Sequence, residues 1–208
     1  MRANRSVRNV SLALVAAATL AACSSTNLTN LWMDQDATSP TVDNVLVIAL
    51  DRNPEMRRFW EDALSAEFQA QGLLARPSYQ LFPADLPDSQ QVAIVMGRDH
   101  HDAALVAHRL SVTTNAVPDG GYRDSAPAAH ADYWRRGYTV ALTAATQPVT
   151  ENKEKEARFQ LDFARADGHL VWTGTTTPVD PTNAEKLRTE VAGQVVPELQ
   201  KRKIIPKD

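Results

Sequence analysis

Val45-Leu46-Val47-Ile48-Ala49-Leu50 is a run of apolar, largely β-branched residues with no polar interruption. A half-buried strand alternates apolar and polar side chains, so a run apolar at both parities predicts a strand covered on both faces. The fold must then have a layer on each side of a sheet, and crossover helices between parallel strands are the usual source of such layers. The next residues read accordingly. Asn53 is a helix cap, Pro54 suits the first helical position and Glu55 the first turn. Met56, Phe59, Trp60, Ala63, Leu64 and Phe68 keep helical spacing, and Gly72 is a C-terminal stop.

Residues 76–82 read as a second strand. Asp88 or Ser89 opens a short helix carrying Val92, Val95 and Met96, and Asp102 leads into a third strand over 103–113. Right-handed crossovers make this half βαβαβ. In the second half, Tyr138, Val140, Leu142 and Ala144 alternate with Thr139, Ala141, Thr143 and Ala145, and Ala157, Phe159, Leu161 and Phe163 alternate with Arg158, Gln160 and Asp162. Both segments are expected to be half-buried strands. The charged residues 151–156 join them, and an Asp167-Gly168 turn leads into a strand over 169–175, giving an antiparallel meander. Asp180 or Thr182 starts a last helix striped with Leu187, Val191, Val195, Val196 and Leu199, which Pro197 should kink or shorten. The expected class is α/β (α+β), a single mixed sheet in the order β-α-β-α-β-β-β-β-α with helices packed on it.

The N-terminus carries a different signal. Residues 1–9 are basic, and residues 10–22 form an apolar run of 13 residues, too short for a bilayer core that needs about 20 helical residues. A basic region, a short apolar region and small residues at the cut site describe a secretory signal peptide. Lys plus Arg number 22 against 25 Asp plus Glu, a net of −3; without Arg2, Arg5 and Arg8 the remaining chain has 19 against 25, or −6. That balance excludes a generic polyanion binder, so no nucleic-acid partner is expected. Charged residues make up 23% of the chain, too many for a multi-pass membrane protein, and a single Cys excludes a disulfide scaffold or a Cys-based zinc cluster.

Leu20-Ala21-Ala22-Cys23 resembles the lipobox of bacterial lipoproteins. The resemblance implies that Cys23 is alkylated with diacylglycerol, that the signal is cut before it and that the new amino terminus is acylated, so palmitate-type chains tie the protein to membrane lipid. Ser24 in place of Asp implies the periplasmic leaflet of the outer membrane. Cutting by the ordinary signal peptidase after Ala16-Ala17-Ala18 is the alternative. The organisation expected is thus a signal peptide over 1–22, a lipidated flexible tether over 23–42 and one α/β domain over 43–208. As a coil, residues 24–41 would reach roughly 20–25 Å. Leu28, Leu31 and Trp32 interrupt that tether's polarity and are expected to dock on the body, with lipid headgroups as the alternative contact.

The body carries a Val-Leu-Val-Ile-Ala-Leu strand, then Arg57 or Arg58, Glu61, Leu64, Gly72, Ser78-Tyr79 and Pro83, with Leu170-Val171-Trp172-Thr173-Gly174 in the last hairpin. In this it resembles small envelope lipoproteins of unassigned function and, distantly, the N-terminal domain of the curli-secretion lipoprotein. It has no pair of amphipathic insertions like those with which the curli-secretion family builds its pore.

Candidate sites are few. Asp99-His100-His101-Asp102 is dense in metal-ligating types, but adjacent residues entering a strand point to opposite faces, so a solvated turn is expected and no metal or other cofactor. His108 shares a face with Val106, Leu110 and Val112 and is expected to be a satisfied core or edge histidine, with a titrating switch as the other reading. Glu61-Asp62 and Asp119-Asp124 are expected on solvated faces. The long irregular stretch 115–136 holds Tyr122, Arg123, His130, Tyr133, Trp134, Arg135 and Arg136, types enriched at interfaces, and is a candidate partner-binding loop. No nucleophile elbow, Walker A or dinucleotide fingerprint is present, so no catalytic residue is assigned. The expected function is a non-enzymatic, membrane-anchored lipoprotein that binds or scaffolds an envelope protein partner. The alternative is a periplasmic cell-wall hydrolase or sugar-binding module.

Overall fold

The computed structural model describes residues 28–34, 42–110, 132–146, 157–180 and 182–207. They form one mixed six-stranded sheet with helices on both faces, the expected class. In chain order the elements are β1 (Leu28–Met33), β2 (Asn44–Leu50), α1 (Pro54–Gln69), β3 (Leu74–Pro77), α2 (Ser89–Arg98), β4 (Ala103–Leu110), α3 (Gly137–Thr146), β5 (Arg158–Arg165) and β6 (Leu170–Thr176). The final helix starts as α4 (Ala184–Lys186), continues through a π-helical section (Leu187–Ala192) and ends as α5 (Gly193–Lys201). Across the sheet the strands run β1-β6-β5-β4-β2-β3. Strands β3 and β4 flank β2 in parallel, and the rest of the sheet is antiparallel.

The two parities of β2 divide the interior. Val45, Val47 and Ala49 join Trp60, Leu64 and Phe68 of α1 and Val191, Val195 and Leu199 of the final helix in one core. Leu46, Ile48 and Leu50 join Val92, Val95 and Met96 of α2 and Tyr138 and Ala141 of α3 in the other. Two of the caps read from the sequence hold: the Asn53 side chain accepts from the N–H groups of Glu55 and Met56, and Asp88 with Gln91 makes a reciprocal capping box, while the last helix is capped by Asn183 in place of Asp180 or Thr182. Gly72 takes φ 77°, the left-handed conformation that ends α1.

Three segments depart from expectation. Residues 138–145 are helix, not strand. The positions that alternate with the apolar ones include Ala141 and Ala145, so the pattern also fits a helical face, and Tyr138, Ala141, Leu142 and Ala145 pack on the second core. The threonine hydroxyls are absorbed along the helix, Thr143 donating to the Thr139 carbonyl at 2.7 Å and Thr146 to that of Leu142 at 2.9 Å. The second departure is β1, which lies inside the expected tether: Leu28 and Leu31 pack on the first core and Trp32 on the second, so they dock as an edge strand against β6. The third is β3, which stops at Pro77, where the chain turns into a single 3-10 turn (Ser78–Gln80). Residues 111–113, expected in β4, lie outside the described residues, as does the charged 151–156 connection.

At Gly174 in β6 a β-carbon would sit 2.7 Å from Trp172 Cζ2 and 3.0 Å from Leu31 Cδ2. Trp172 is fully buried and cannot swing away. Gly174→Ala is therefore expected to cost about 1–3 kcal/mol by overpacking, read as a lowered urea midpoint with unchanged slope.

Candidate functional site

In an open α/β sheet, ligands bind outside the carboxyl ends of the strands where neighbouring connections leave for opposite faces. Here β2 leads into α1 on one face, while α3, which follows β4 in the chain, packs on the other. A cleft of about 430 Å³ opens at that place, within the usual size range of small-ligand sites. It is lined by Asp51 and Arg52, directly after β2, by Arg58 and Tyr79, and by Asp85 and Thr143.

The wall is held by a buried polar network. Glu61, fully buried, accepts from Arg57 Nε (3.0 Å), Ser78 Oγ (2.7 Å), the Ala49 N–H (3.1 Å) and the Tyr79 N–H (2.6 Å). Arg57 Nη1 donates to the carbonyls of Phe82 and Asp85, both at 3.0 Å, and Nη2 to Ser78 Oγ at 3.1 Å. The loop that closes the cleft is thus hung on a guanidinium. Tyr79 donates its hydroxyl to Asp62 at 2.8 Å, and Arg58 lies over its ring at 5.6 Å. Arg52 reaches the Thr146 carbonyl at 3.4 Å. Glu61 was expected on a solvated face; instead it lies inside, and only Asp62 of that pair is exposed.

Asp51 accepts from the Asn53 N–H at 2.8 Å. Burial raises its carboxyl above the ordinary carboxylate value, against the opposing pull of that N–H and of the Arg109 charge. A partly desolvated acid at the mouth of a cleft is a common mark of a binding or proton-handling position.

The residues singled out in the sequence are scattered. Tyr133 and Trp134, expected in an exposed partner-binding loop, belong to the second core. Tyr133 is fully buried, donating its hydroxyl to Asp162 at 2.9 Å, while Trp134 Nε1 donates to the Arg165 carbonyl at 3.2 Å. Neither side chain is presented to solvent. Arg135 and Arg136 are exposed and pair with Asp132 at 3.7 and 3.9 Å. Tyr122, Arg123, His130, Asp119 and Asp124 lie outside the described residues, as does Cys23.

The Asp99–Asp102 cluster is a helix-to-strand turn. His100 is exposed at φ 53°, and Asp102 accepts the backbone N–H groups of Asp43 and Asn44. His101 meets Asn44 Oδ1 through Nδ1 at 2.8 Å; Asn44 donates its own amide to two carbonyls, which fixes Nδ1 as the donor. Among the described residues no three His, Cys, Asp or Glu side chains are grouped to hold a metal ion. His108 is buried on the second face, Nε2 lying 3.9 Å from Asp162 and Nδ1 making no hydrogen bond. Burial holds it neutral, lowering its pKa against the pull of Asp162.

Comparison with known protein families, with curated proteins and with solved structures finds no match. The likeness to envelope lipoproteins therefore rests on the sequence motifs alone.

Because the folded-state pKa of Asp51 is raised, its ionisation costs stability. The cost is absent below the unfolded carboxylate value of 3.8 and grows as pH rises through and above it. Asp51→Asn is expected to match the natural chain in acid and to exceed it in stability at neutral pH. Urea unfolding across that range checks the sign; a neutral-pH loss would contradict it.

Proposed function

We propose that this chain is a bacterial lipoprotein precursor whose mature form, acylated at Cys23, sits in the periplasmic leaflet of the outer membrane and acts by binding an envelope protein partner. The observation that carries the reading is which residues build the described sheet. Strand β1 begins at Leu28, five residues beyond Cys23, and none of the six strands comes from residues 1–22. Removing the signal before Cys23 would leave the sheet intact. Among the described residues no helix is long and apolar enough to cross a membrane; on the proposed reading, attachment is by the acyl chains. Two or three chains hold durably where one is marginal, each buried methylene contributing about 0.8 kcal/mol.

For the partner, the outer faces of α2 and α3 supply what the buried aromatics do not. Ile94 is 65% and Val140 69% exposed, large apolar side chains on two helices of the same layer, with Arg135 and Arg136 exposed just before α3. Cys23→Ser is expected to move the protein out of the membrane fraction and to leave an unprocessed precursor. Unchanged fractionation and processing would overturn the anchor.

The hydrolase or sugar-binding reading has one observation in its favour: Asp51 and Asp85 line the same cleft, and burial raises the Asp51 carboxyl. On that reading the protein sediments with purified cell-wall sacculi and Asp51→Asn with Asp85→Asn abolishes it. No sedimentation, or sedimentation indifferent to both substitutions, removes this reading.

A further inference from the structure

Neighbouring strands place Leu28 at a defined end of the sheet. Leu28 pairs with Thr176, whose hydroxyl accepts from the N–H of Phe159; Phe159 pairs with Arg109; and the residue before Arg109, His108, pairs with Leu50. Leu28, Thr176, Phe159 and Arg109 thus form one row across the sheet, and Asp51 at the cleft continues it. The first residue of β1 and the cleft lie at the same end.

Four residues lie between Cys23 and Leu28, and the five Cα steps reach at most about 18 Å even when fully extended. The eight residues of β4 span roughly 26 Å from this end to the other. A membrane holding Cys23 can therefore lie across the end that contains Leu28, whereas one lying across the opposite end, where α2 stops and β4 starts, is out of its reach. Along the reachable end Arg158 and Arg109 are exposed between β1 and the cleft, and Arg52 and Arg58 are exposed at the cleft itself. Acids share this end: Asp51, Glu55 and Asp85, Asp88 at the start of α2, and Asp180 and Glu185 beyond the Ala157–Val179 bridge. Asp51 is half-buried and faces the Arg109 charge. Guanidinium groups bind phosphate through paired hydrogen bonds and shed water more readily than ammonium groups.

Resting on the proposed acylation of Cys23, we propose that this end of the sheet, the cleft mouth included, is the surface that lies against the phospholipid headgroups, with Arg52 and Arg58 in contact with lipid phosphate. The cleft then opens toward the bilayer, and what enters it comes from the membrane surface.

The test uses the full chain in its own membrane, with a photo-crosslinking amino acid in place of Thr143, at the cleft, or of Gly97, at the far end of α2, where an added side chain meets nothing within 4 Å. Irradiation is expected to give several-fold more phospholipid adduct from position 143 than from position 97. Arg52→Ala with Arg58→Ala should lower the yield from position 143 several-fold, and Arg98→Ala at the far end should leave it unchanged. Thermal unfolding of each variant confirms a folded body. The mass of the N-terminal peptide from the same sample reports acylation. Unacylated Cys23 removes the anchor reading and this one with it. With Cys23 acylated, three results overturn this inference alone: equal or greater lipid adduct from position 97, adducts from position 143 to protein only, or a yield indifferent to the two arginines.

Discussion

The buried Arg57–Glu61 pair is the joint on which the cleft and the first half of the sheet both depend. One carboxylate takes donors from β2, α1 and the turn after β3, and one guanidinium holds the carbonyls of the cleft loop. Burial raises the Glu61 carboxyl, and the hydrogen bonds from Ser78, Ala49 and Tyr79 and the Arg57 charge work against that cost. Such pairs contribute little net stability compared with well-packed apolar residues, yet breaking one by removing a single partner costs about 3–5 kcal/mol. Their use is positional. In this fold the position gained is the wall of the cleft.

A second polar assembly does the same for the opposite layer. Asp162 accepts from Tyr133, Thr173 and Gln160 at 2.6–2.9 Å, and the Tyr133 N–H donates to the Gly168 carbonyl at 2.8 Å. The turn before α3 is thereby pinned to the β5–β6 hairpin at the far end of the sheet. Tyr138 then ties α3 to the Pro87 carbonyl at 2.7 Å, just before α2. With its start fixed in this way, α3 runs toward the cleft and places Leu142, Thr143 and Thr146 against it.

What could be read from the sequence follows from how local each signal is. The β2 strand, α1 with its Asn53 cap, α2 with its Asp88 box and the Asp167-Gly168 hairpin each carry their cause within a few residues. Helix α3 does not: its alanines satisfy periods of 2 and 3.6 equally, and packing against Leu46, Ile48 and Val106 decides. Nor does β1, a polar-looking stretch that is ordered by β6 some 140 residues away. The cleft was half legible. Arg57 or Arg58, Glu61, Ser78-Tyr79 and Pro83 stood out as a pattern, but nothing local says which arginine turns inward or that Glu61 turns in while Asp62 turns out, because the donors to Glu61 come from three separate elements. Tyr133 and Trp134 misled for a similar reason: aromatics suited to an interface are equally suited to a core, and their buried partners, Asp162 and Arg165, come from β5.

The capture of β1 by the sheet also changes what an anchor at Cys23 would do. A tether of eighteen free residues would leave the body free to present any side to a membrane. Pairing Leu28–Met33 with β6 leaves four residues, 24–27, between Cys23 and the sheet and puts their junction with it at one corner. A strand recruited at the edge then has two consequences from one set of hydrogen bonds: it covers β6, which would otherwise be an open edge, and it converts a flexible leash into a constraint on orientation. The net charge of residues 23–208, −6, supplies no attraction to an anionic surface. With Cys23 acylated as proposed, orientation would come from the length and exit point of the chain, with local arginines acting only once that geometry had brought them to the headgroups.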